Sequence, residues 1–417
     1  MLLQIGIMMF KHKTPLLLFC FIIVIASCKK NNIKPVVTGK NLVLSALEQQ
    51  KVTADNVFTL KLFKNLSSSN TAGANLFASP LSVSFALGMT SNGANGQTLD
   101  AIKNTLNFNG LTQEQVNSYY NNLITNLPQL DPNTTLKIAN SIWYRQEFSV
   151  LPDFLQTNST SFHAKVQGLD FNNPASVTQI NNWVSDQTAG KIPTIVEAIP
   201  ADAVMYLINA IYFKSSWKEK FDPTHTIKRT FNPDGGGSVQ SDFMDNIMPV
   251  NLFTNDNVIV AELPYSGDKY SMVVAMPQNG TIGDFVTGID SAKWQLWMNS
   301  LTPAKPEIQL PKFKISYDVT LNDALTQLGM GIAFTKLADF SKINATASLL
   351  ITKVKHKAFV EVNEDGTTAA AATSVEVGIT AAPLAPMVTF NHPFFFAIRE
   401  MKSGLIVFVG TVNNPTK

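Results

Sequence analysis

Helical patterns of hydrophobic and polar residues dominate the first half of the chain. Apolar residues recur every three or four positions in four segments, which are residues 42–66, 81–90, 98–106 and 112–127. Ser79-Pro80 supplies an N-cap residue followed by proline at the first helical position of the second segment. Thr112 and Gln115 have the spacing of a capping box, so the fourth segment is predicted to be a helix that begins after Thr112.

Strand patterns dominate the second half. Alternating or continuous apolar runs predict strands at residues 136–145, 204–213, 258–263, 270–276, 354–362, 387–399 and 405–412. The last strand is predicted to form a hairpin with residues 394–399 through Lys402-Ser403-Gly404. Further helices are predicted from Asn173-Pro174 to Gly190, at 282–300 and at 322–329. Because helices come mostly early and strands mostly late, the fold class is predicted to be α+β, in one large domain or two smaller ones.

The segment at residues 361–380 has an unusual pattern for a loop. The Asp365-Gly366 dipeptide predicts a turn after the strand at 354–362. Beyond it, every second residue is small or apolar, in the series Thr367, Ala369, Ala371, Thr373, Val375, Val377 and Ile379. Such alternation is typical of a strand with one buried face, so this segment is predicted to be able to enter a sheet. A linker or a short helix is the alternative, because four consecutive alanines favour helix.

The N-terminus has the pattern of an export signal. Lys11-His12-Lys13 precedes an apolar run at residues 16–25 that is short for a membrane-spanning helix. The run ends in Ile25-Ala26-Ser27-Cys28, which resembles the lipobox of bacterial lipoproteins. Residues 1–27 are therefore predicted to be a signal peptide, Cys28 the lipidated residue, and 28–40 a tether to a domain at 41–417. An uncleaved anchor and an ordinary signal peptide are the alternatives.

Composition excludes several classes of function. The net charge is +2 with no dense basic segment, which gives nucleic-acid binding no support. The only cysteines are Cys20 and Cys28, so a mature chain lipidated at Cys28 has no thiol for disulfides, catalysis or metal binding. No Gly-x-Ser-x-Gly motif is present. The remaining histidines lack ligand spacing, namely His163, His225 and His392. His356 falls on the inward side of its strand and is predicted to be buried and hydrogen-bonded, a catalytic or metal role being the alternative.

Six segments, in this order and spacing, resemble the serpin family over residues 41–417. They are Asn75-Leu-Phe-Ala-Ser-Pro-Leu-Ser-Val-Ser84, Asn209-Ala-Ile-Tyr-Phe-Lys214, Leu310-Pro-Lys-Phe-Lys-Ile315, His356-Lys-Ala-Phe-Val-Glu-Val-Asn-Glu-Asp-Gly-Thr-Thr-Ala-Ala-Ala-Ala372, Phe390-Asn-His-Pro-Phe-Phe-Phe396 and Val409-Gly-Thr-Val-Asn-Asn-Pro415. The resemblance implies a single monomeric domain with three β-sheets, about nine helices and an exposed reactive loop at about residues 366–386. It implies no cofactor, no metal and no enzymatic activity.

The resemblance also implies a mechanism. A target protease attacks the reactive loop and forms an acyl-enzyme, and the cleaved loop then inserts into the main sheet as a new strand. The alternating series from Thr367 carries no charge and no proline, which suits insertion and favours an inhibitor over a non-inhibitory binding protein. The hinge residues that this implies are Glu364, Gly366, Thr367, Thr368, Ala369, Ala370, Ala371 and Ala372.

Family spacing from Gly366 implies a reactive bond between Thr380 and Ala381. The loop is about two residues longer than the family pattern, which makes Ala382 an alternative. No Arg or Lys occurs between Gly366 and Phe390, so the resemblance implies elastase-like or subtilisin-like serine proteases as partners, with papain-like cysteine proteases as an alternative.

The resemblance further implies a polar cluster beneath the main sheet where its strands part, formed by Ser79, Ser82, Asn209 and His356. Trp217 resembles the tryptophan at the top of that sheet, and simple core packing is its alternative role. The export signal and the lipid on Cys28 separately predict an exported protein that is lipid-anchored in a bacterial cell envelope, at the outer membrane or the cell surface.

Overall fold

Nine α-helices occur among the residues that this computed structural model describes, which are 39–71, 73–108, 110–368 and 386–417. They are α1 (Ala46–Ser69), α2 (Pro80–Ser91), α3 (Gly96–Thr105), α4 (Gln113–Asn126), α5 (Pro152–Ser161), α6 (Ala175–Gln187), α7 (Ile282–Thr287), α8 (Ser291–Ser300) and α9 (Asn322–Leu325). The predicted caps are confirmed at two of them. Ser79 Oγ accepts from the Ser82 N–H before α2, and Thr112 and Gln115 form the capping box of α4.

Seventeen strands occur in the same ranges. They are β1 (Leu76–Ala78), β2 (Thr135–Arg145), β3 (Lys165–Leu169), β4 (Met205–Ser216), β5 (Ile227–Phe231), β6 (Val239–Ile247), β7 (Val250–Asn255), β8 (Val258–Pro264), β9 (Tyr270–Pro277), β10 (Thr302–Ala304), β11 (Glu307–Pro311), β12 (Phe313–Thr320), β13 (Lys355–Asn363), β14 (Gly366–Thr367), β15 (Met387–Thr389), β16 (Phe394–Glu400) and β17 (Ile406–Val412). The predicted α+β class, three sheets and about nine helices are therefore confirmed.

The strands form three sheets. One has seven strands in the order β1-β17-β16-β9-β8-β7-β10, and every residue of β9 and β17 is buried. Helices α1 and α2 pack against this sheet, where the Phe77 and Phe408 rings stack with centroids 5.3 Å apart. A second sheet has four strands in the order β15-β11-β6-β5. The core thus lies between the seven-stranded sheet and its neighbours.

The third sheet positions the site described below. Its six strands run in the order β12-β13-β14-β4-β2-β3, so the two-residue strand β14 is hydrogen-bonded to β13 on one side and β4 on the other. In β13 the side chains alternate between buried and partly buried, and the buried set is His356, Ala358, Val360 and Val362. This alternation confirms the strand predicted at residues 354–362.

Three predicted elements are wrong in detail. The strand predicted at 387–399 is two strands in different sheets, because Pro393 lacks the N–H that a continuing strand would need. The helix predicted at 282–300 is two helices, because the chain ends one at Gly288 and the Asp290 carboxylate caps the next at the Lys293 N–H. The helix predicted at 322–329 ends as an α-helix at Leu325, and Gly329 has φ +109°.

No helix among the described residues is long and apolar enough to cross a membrane.

Candidate functional site

The hinge strand β14 lies between two long strands of the six-stranded sheet. Gly366 is opposite Asn363 of β13 and Ser216 of β4, and Thr367 is opposite Val362 and Ser215. Both pairings are antiparallel. A chain that continued from Thr367 in the same direction would therefore run between β13 and β4, antiparallel to each.

Gly366 is needed here because the backbones approach closely. Its φ is +149°, and a Cβ atom at this position would lie 2.1 Å from the Ser215 carbonyl oxygen and 2.7 Å from the Ser216 Cα. The sequence predicted a flexible glycine. The structure adds that any larger residue would collide with β4.

Thr367 is buried at the hinge strand and makes a specific contact. Its Oγ1 lies 2.5 Å from the Tyr265 hydroxyl oxygen, and the Tyr265 ring stacks on Trp217 with a centroid distance of 4.8 Å. Trp217 in turn donates from Nε1 to the Asn363 carbonyl oxygen at 2.9 Å. Burial raises the pKa of Tyr265, so its hydroxyl keeps its proton and remains available for hydrogen bonding.

The turn before the hinge strand is held by charged and backbone contacts. Glu364 accepts from Lys312 Nζ at 3.0 Å and from Thr226 Oγ1 at 2.7 Å, and Lys220 Nζ lies 2.8 Å from Asp365 Oδ1. Burial opposes the charge of Glu364, yet hydrogen bonds from its own backbone, Thr226 and Lys312 lower its pKa. The Trp217 N–H donates to the Asp365 carbonyl at 2.9 Å. The start of the hinge is thus tied to both flanking strands and their connections.

Thr368 departs from the predicted alternation. The predicted alternation has one buried face, formed by the series that begins at Thr367, and Thr368 is outside that series. Thr368 is nevertheless buried, has φ +53°, and donates its N–H to the Glu361 carbonyl at 2.6 Å. A non-glycine residue with positive φ leaves the extended conformation, so the strand geometry stops after Thr367. The predicted hinge residues Ala369, Ala370, Ala371 and Ala372 lie outside the described residues, as do the predicted reactive-bond residues Thr380, Ala381 and Ala382.

A polar cluster lies beneath the same sheet. The Ser79 N–H donates to His356 Nε2 at 3.1 Å, and Ser79 Oγ donates to the Val407 carbonyl at 2.8 Å. Ser82 Oγ donates to Asn209 Oδ1, which joins α2 to β4. All four residues that the sequence placed in this cluster are therefore in one connected network.

Asn140 belongs to this network but was not predicted. Asn209 Nδ2 donates to Asn140 Oδ1 at 2.7 Å, and Asn140 Nδ2 donates to the Phe162 carbonyl at 2.7 Å. A signal was present, because Asn140 and Asn209 are polar residues in the middle of apolar strands. Tyr265 gave no such signal, since it reaches the hinge from a turn through an isolated bridge to Trp217.

His356 is a neutral, buried member of the cluster. Burial lowers its pKa to about 4, although the nearby Asp318 carboxylate acts to raise it. The unprotonated Nε2 is required to accept the Ser79 hydrogen bond. Among the described residues there is no group of three or more His, Cys, Asp or Glu side chains that could hold a metal ion.

The hinge strand and the polar cluster lie at two different positions along the boundary between β4 and β13, which is here called the seam. His356 and Asn209 are each seven residues before the strand positions that pair with Gly366, which corresponds to roughly 23 Å along the strands. Trp217 and Tyr265 lie at the hinge end of the seam. Within the described ranges, the predicted site residues therefore lie on β4, β13 and β14, beside the ends of these strands, or at the start of α2 in contact with His356 and Asn209.

Comparisons with known proteins identify the family. A family model described as "Serpin (serine protease inhibitor)" matches residues 53–415. The chain is 35% identical to leukocyte elastase inhibitor of Homo sapiens over 88% of this chain and 100% of that protein. It is 34% identical to neuroserpin of Gallus gallus over 82% of this chain and 86% of that protein. The chain belongs to the serpin family.

Solved structures have the same fold. The native state of the thermophilic serpin tengpin aligns with a TM-score of 0.80 and 32% identity, covering 91% of this chain and 96% of that one. Human thyroxine-binding globulin, complexed with its ligand, aligns with a TM-score of 0.81 and 28% identity, covering 89% and 100%. The fold is therefore shared by a relative that is named for inhibition and one that is named for binding a small molecule.

Proposed function

We propose that this protein is a suicide-substrate inhibitor of serine proteases. The target protease cleaves the reactive loop between Thr380 and Ala381, or one bond later, and the acyl-enzyme is trapped when the cleaved loop inserts as a strand between β13 and β4. The observation that carries the proposal is the hinge strand, because Gly366–Thr367 is already paired antiparallel to both of those strands.

Three further features support loop insertion. The only side chain that the hinge strand adds to the sheet is the small, uncharged Thr367. The alternating sequence series that begins at Thr367 is small or apolar through Ile379. The polar cluster beneath the seam consists of neutral groups, so the strands can separate there without exposing an unpaired charge.

The loop sequence indicates the class of target. Thr380, Ala381 and Ala382 are small, and a shallow protease pocket of the elastase or subtilisin type accommodates such residues. Similarity to the leukocyte elastase inhibitors supports the same choice. Papain-like cysteine proteases remain the alternative targets, through Val377 or Ile379.

The decisive experiment mixes residues 41–417 with an elastase and with a subtilisin, followed by denaturing gels and mass spectrometry. A covalent band that survives SDS, together with cleavage after Thr380 or Ala381, is the expected result. Clean cleavage of the loop with the protease still active would contradict trapping of these enzymes. Cysteine proteases would then be tested in the same assay.

A non-inhibitory binding protein is the second candidate, because thyroxine-binding globulin has the same fold. The two functions differ in what cleavage of the loop does to stability. Insertion of a new strand would raise the melting temperature, whereas a scaffold that does not insert its loop would keep it unchanged.

We propose in addition that the chain is exported and attached to a bacterial envelope membrane through lipid on Cys28. The support is the sequence of the first 28 residues. Metabolic labelling with radioactive palmitate should mark the full chain and fail to mark a Cys28→Ala variant. Equal labelling of both would reject the lipid site.

A further inference from the structure

Two of the most exposed large apolar side chains lie on either side of Glu307 on the four-stranded sheet. Ile247 of β6 and Met387 of β15 are 51% and 62% exposed, and both pair across the strands with Glu307 of β11. Residues paired in this way point to the same side of a sheet. Ile247, Glu307 and Met387 thus form one row, which is here called the outer row.

The outer row lies directly beside the end of the reactive loop. The Glu307 N–H donates to the Pro386 carbonyl oxygen at 3.0 Å, and Met387 follows Pro386 in the chain. Ala381 and Met387 are six positions apart in the chain, so their separation is at most roughly 21 Å. A protease bound at the reactive bond therefore lies within reach of the outer row.

A pair of carboxylates stands next to the apolar side chains. Gln309 Nε2 donates to Asp245 Oδ2 at 2.9 Å and to Glu307 Oε1 at 2.8 Å, which holds the two carboxyl groups close together. Arg229 NH2 is 3.6 Å from Asp245 Oδ2, and Arg229 Nε is a buried atom without a hydrogen-bond partner. Arg229 thus contacts Asp245 only at the edge of ion-pair distance, while Glu307 is hydrogen-bonded to the neutral Gln309. A cation from a partner would improve the charge balance of this pair.

We propose that the outer row, together with Asp245, is a second contact surface for the target protease. The protease would meet it with the rim of its active site on the side that holds the residues after the cleaved bond. The matching surface on the protease is an apolar patch beside a Lys or Arg side chain. This inference rests on the proposed inhibitory function and adds a determinant of which protease is captured.

The size of protease interfaces supports this occupant. Protease–inhibitor complexes bury about 800 Å² on each partner, which corresponds to a circular patch of roughly 16 Å radius. An extended loop fills a narrow band of such a patch, and the surface adjoining the loop fills more of it. The outer row adjoins the loop at Pro386, so an interface that extends from the reactive bond toward Pro386 would include it.

The test replaces the two apolar residues of the outer row. A double variant, Ile247→Ser with Met387→Ser, is compared with a control double variant, Leu296→Ser with Leu337→Ser, whose residues are 60% and 80% exposed and lie outside the four-stranded sheet. The protease is the elastase or subtilisin that the unaltered protein inhibits fastest. Two quantities are measured, the rate constant of SDS-stable complex formation and the binding of the same protease with its catalytic serine replaced by alanine.

The outer-row variant should lose roughly ten-fold in both quantities, and the control variant less than two-fold. Glu307→Gln with Asp245→Asn should weaken the salt dependence of the rate, since it removes the attraction for a basic side chain.

Equal rates and equal binding for the outer-row variant and the control variant would overturn the contact surface and leave inhibition standing. Absence of any SDS-stable complex, with binding of the inactive protease still dependent on Ile247 and Met387, would reject trapping and retain the surface. Absence of both complex and binding would overturn both.

Discussion

At Gly366 the backbone of the hinge passes so close to β4 that a Cβ atom would lie 2.1 Å from a carbonyl oxygen. The same residue has φ +149°, a conformation that costs other residues about 1–3 kcal/mol. The hinge strand is only two residues long. A substitution here can therefore relieve its clash with β4 by displacing the strand from the sheet.

Gly366→Ala is therefore expected to displace the hinge strand and to lower the free energy of unfolding by about 1–3 kcal/mol. The displacement should change the fluorescence of Trp217, because its indole donates to the Asn363 carbonyl beside the strand. Gly235→Ala is the matched control, since a Cβ atom at Gly235 meets nothing within 4 Å. Unchanged fluorescence and stability in Gly366→Ala would contradict the observed packing.

His356 makes stability depend on pH in a defined direction. Its pKa in the folded protein is about 4, below its usual value of 6.5, so the unfolded chain binds a proton first as the pH falls. The stabilisation is fully present above pH 6.5 and is lost progressively between pH 6.5 and 4. Between pH 7.5 and 5 the loss amounts to about 2 kcal/mol.

Urea denaturation at pH 7.5, 6.5, 5.5 and 5 measures this loss. His356→Gln should remove most of the pH dependence in that range, whereas His225→Gln, at an exposed position, should keep it. The carboxylates whose pKa is lowered by their contacts, such as Glu262 and Glu364, titrate below this range. Identical pH profiles for the two variants would contradict a neutral His356.

At the scale of elements, α1 contains a buried ion pair that is also hydrogen-bonded to α4. Lys51 Nζ lies 2.8 Å from Asp55 Oδ1, and the Tyr119 hydroxyl donates to Asp55 Oδ2 at 2.6 Å. Burial lowers the pKa of Lys51 against the opposing influence of Asp55. Removing one partner of a buried charge pair strongly destabilises the fold, because the other charge stays buried without a counter-charge.

Asp55→Ala is expected to lower the free energy of unfolding by about 3–5 kcal/mol, because it leaves Lys51 buried without a counter-charge. Lys51→Met with Asp55→Asn removes both charges and keeps an acceptor for the Tyr119 hydroxyl, so it should cost much less. Calorimetric melting of the two variants makes the comparison. If the double variant melts as low as the single one, the loss does not come from the unpaired charge.

A substitution in the hinge strand tests whether the packing of Thr367 is needed for inhibition. Thr367→Arg would place a charge where Thr367 contacts Tyr265, and insertion of the loop should slow as a result. We expect the loop to be cleaved while the yield of SDS-stable complex falls more than ten-fold. Thr178→Arg, on an exposed position of α6, should inhibit as the unaltered protein does. A normal yield in Thr367→Arg would argue against insertion at this seam.

Elements with local signals could be predicted from the sequence, and elements that depend on distant partners could not. The capping box at Thr112 and Gln115 and the alternation around His356 are local, and both were predicted correctly. Residues 387–399 form one apolar run, yet the fold places its two ends in different sheets. Tyr265 is part of the site only because a turn carries it against Trp217.

At the scale of the whole molecule, the proposed mechanism predicts a gain in stability on cleavage. A loop that is cut and inserted adds a full strand between β13 and β4, with hydrogen bonds on both sides. Proteolysis within residues 369–385 should therefore raise the melting temperature sharply, as measured by calorimetry before and after limited cleavage. A melting temperature that stays the same would favour the non-inhibitory binding protein.

The pairing of β1 with β17 has a consequence for synthesis of the chain. Leu76 is opposite Thr411. Strand β1, near the start of the fold, therefore pairs with a strand that is translated more than 300 residues later. Closing so long a loop is slow, and the seven-stranded sheet cannot be completed while its last strand is still within the ribosome. The nascent chain therefore cannot reach its complete native fold before translation ends, and a chain without its complete fold is also the form that a secretion channel can thread.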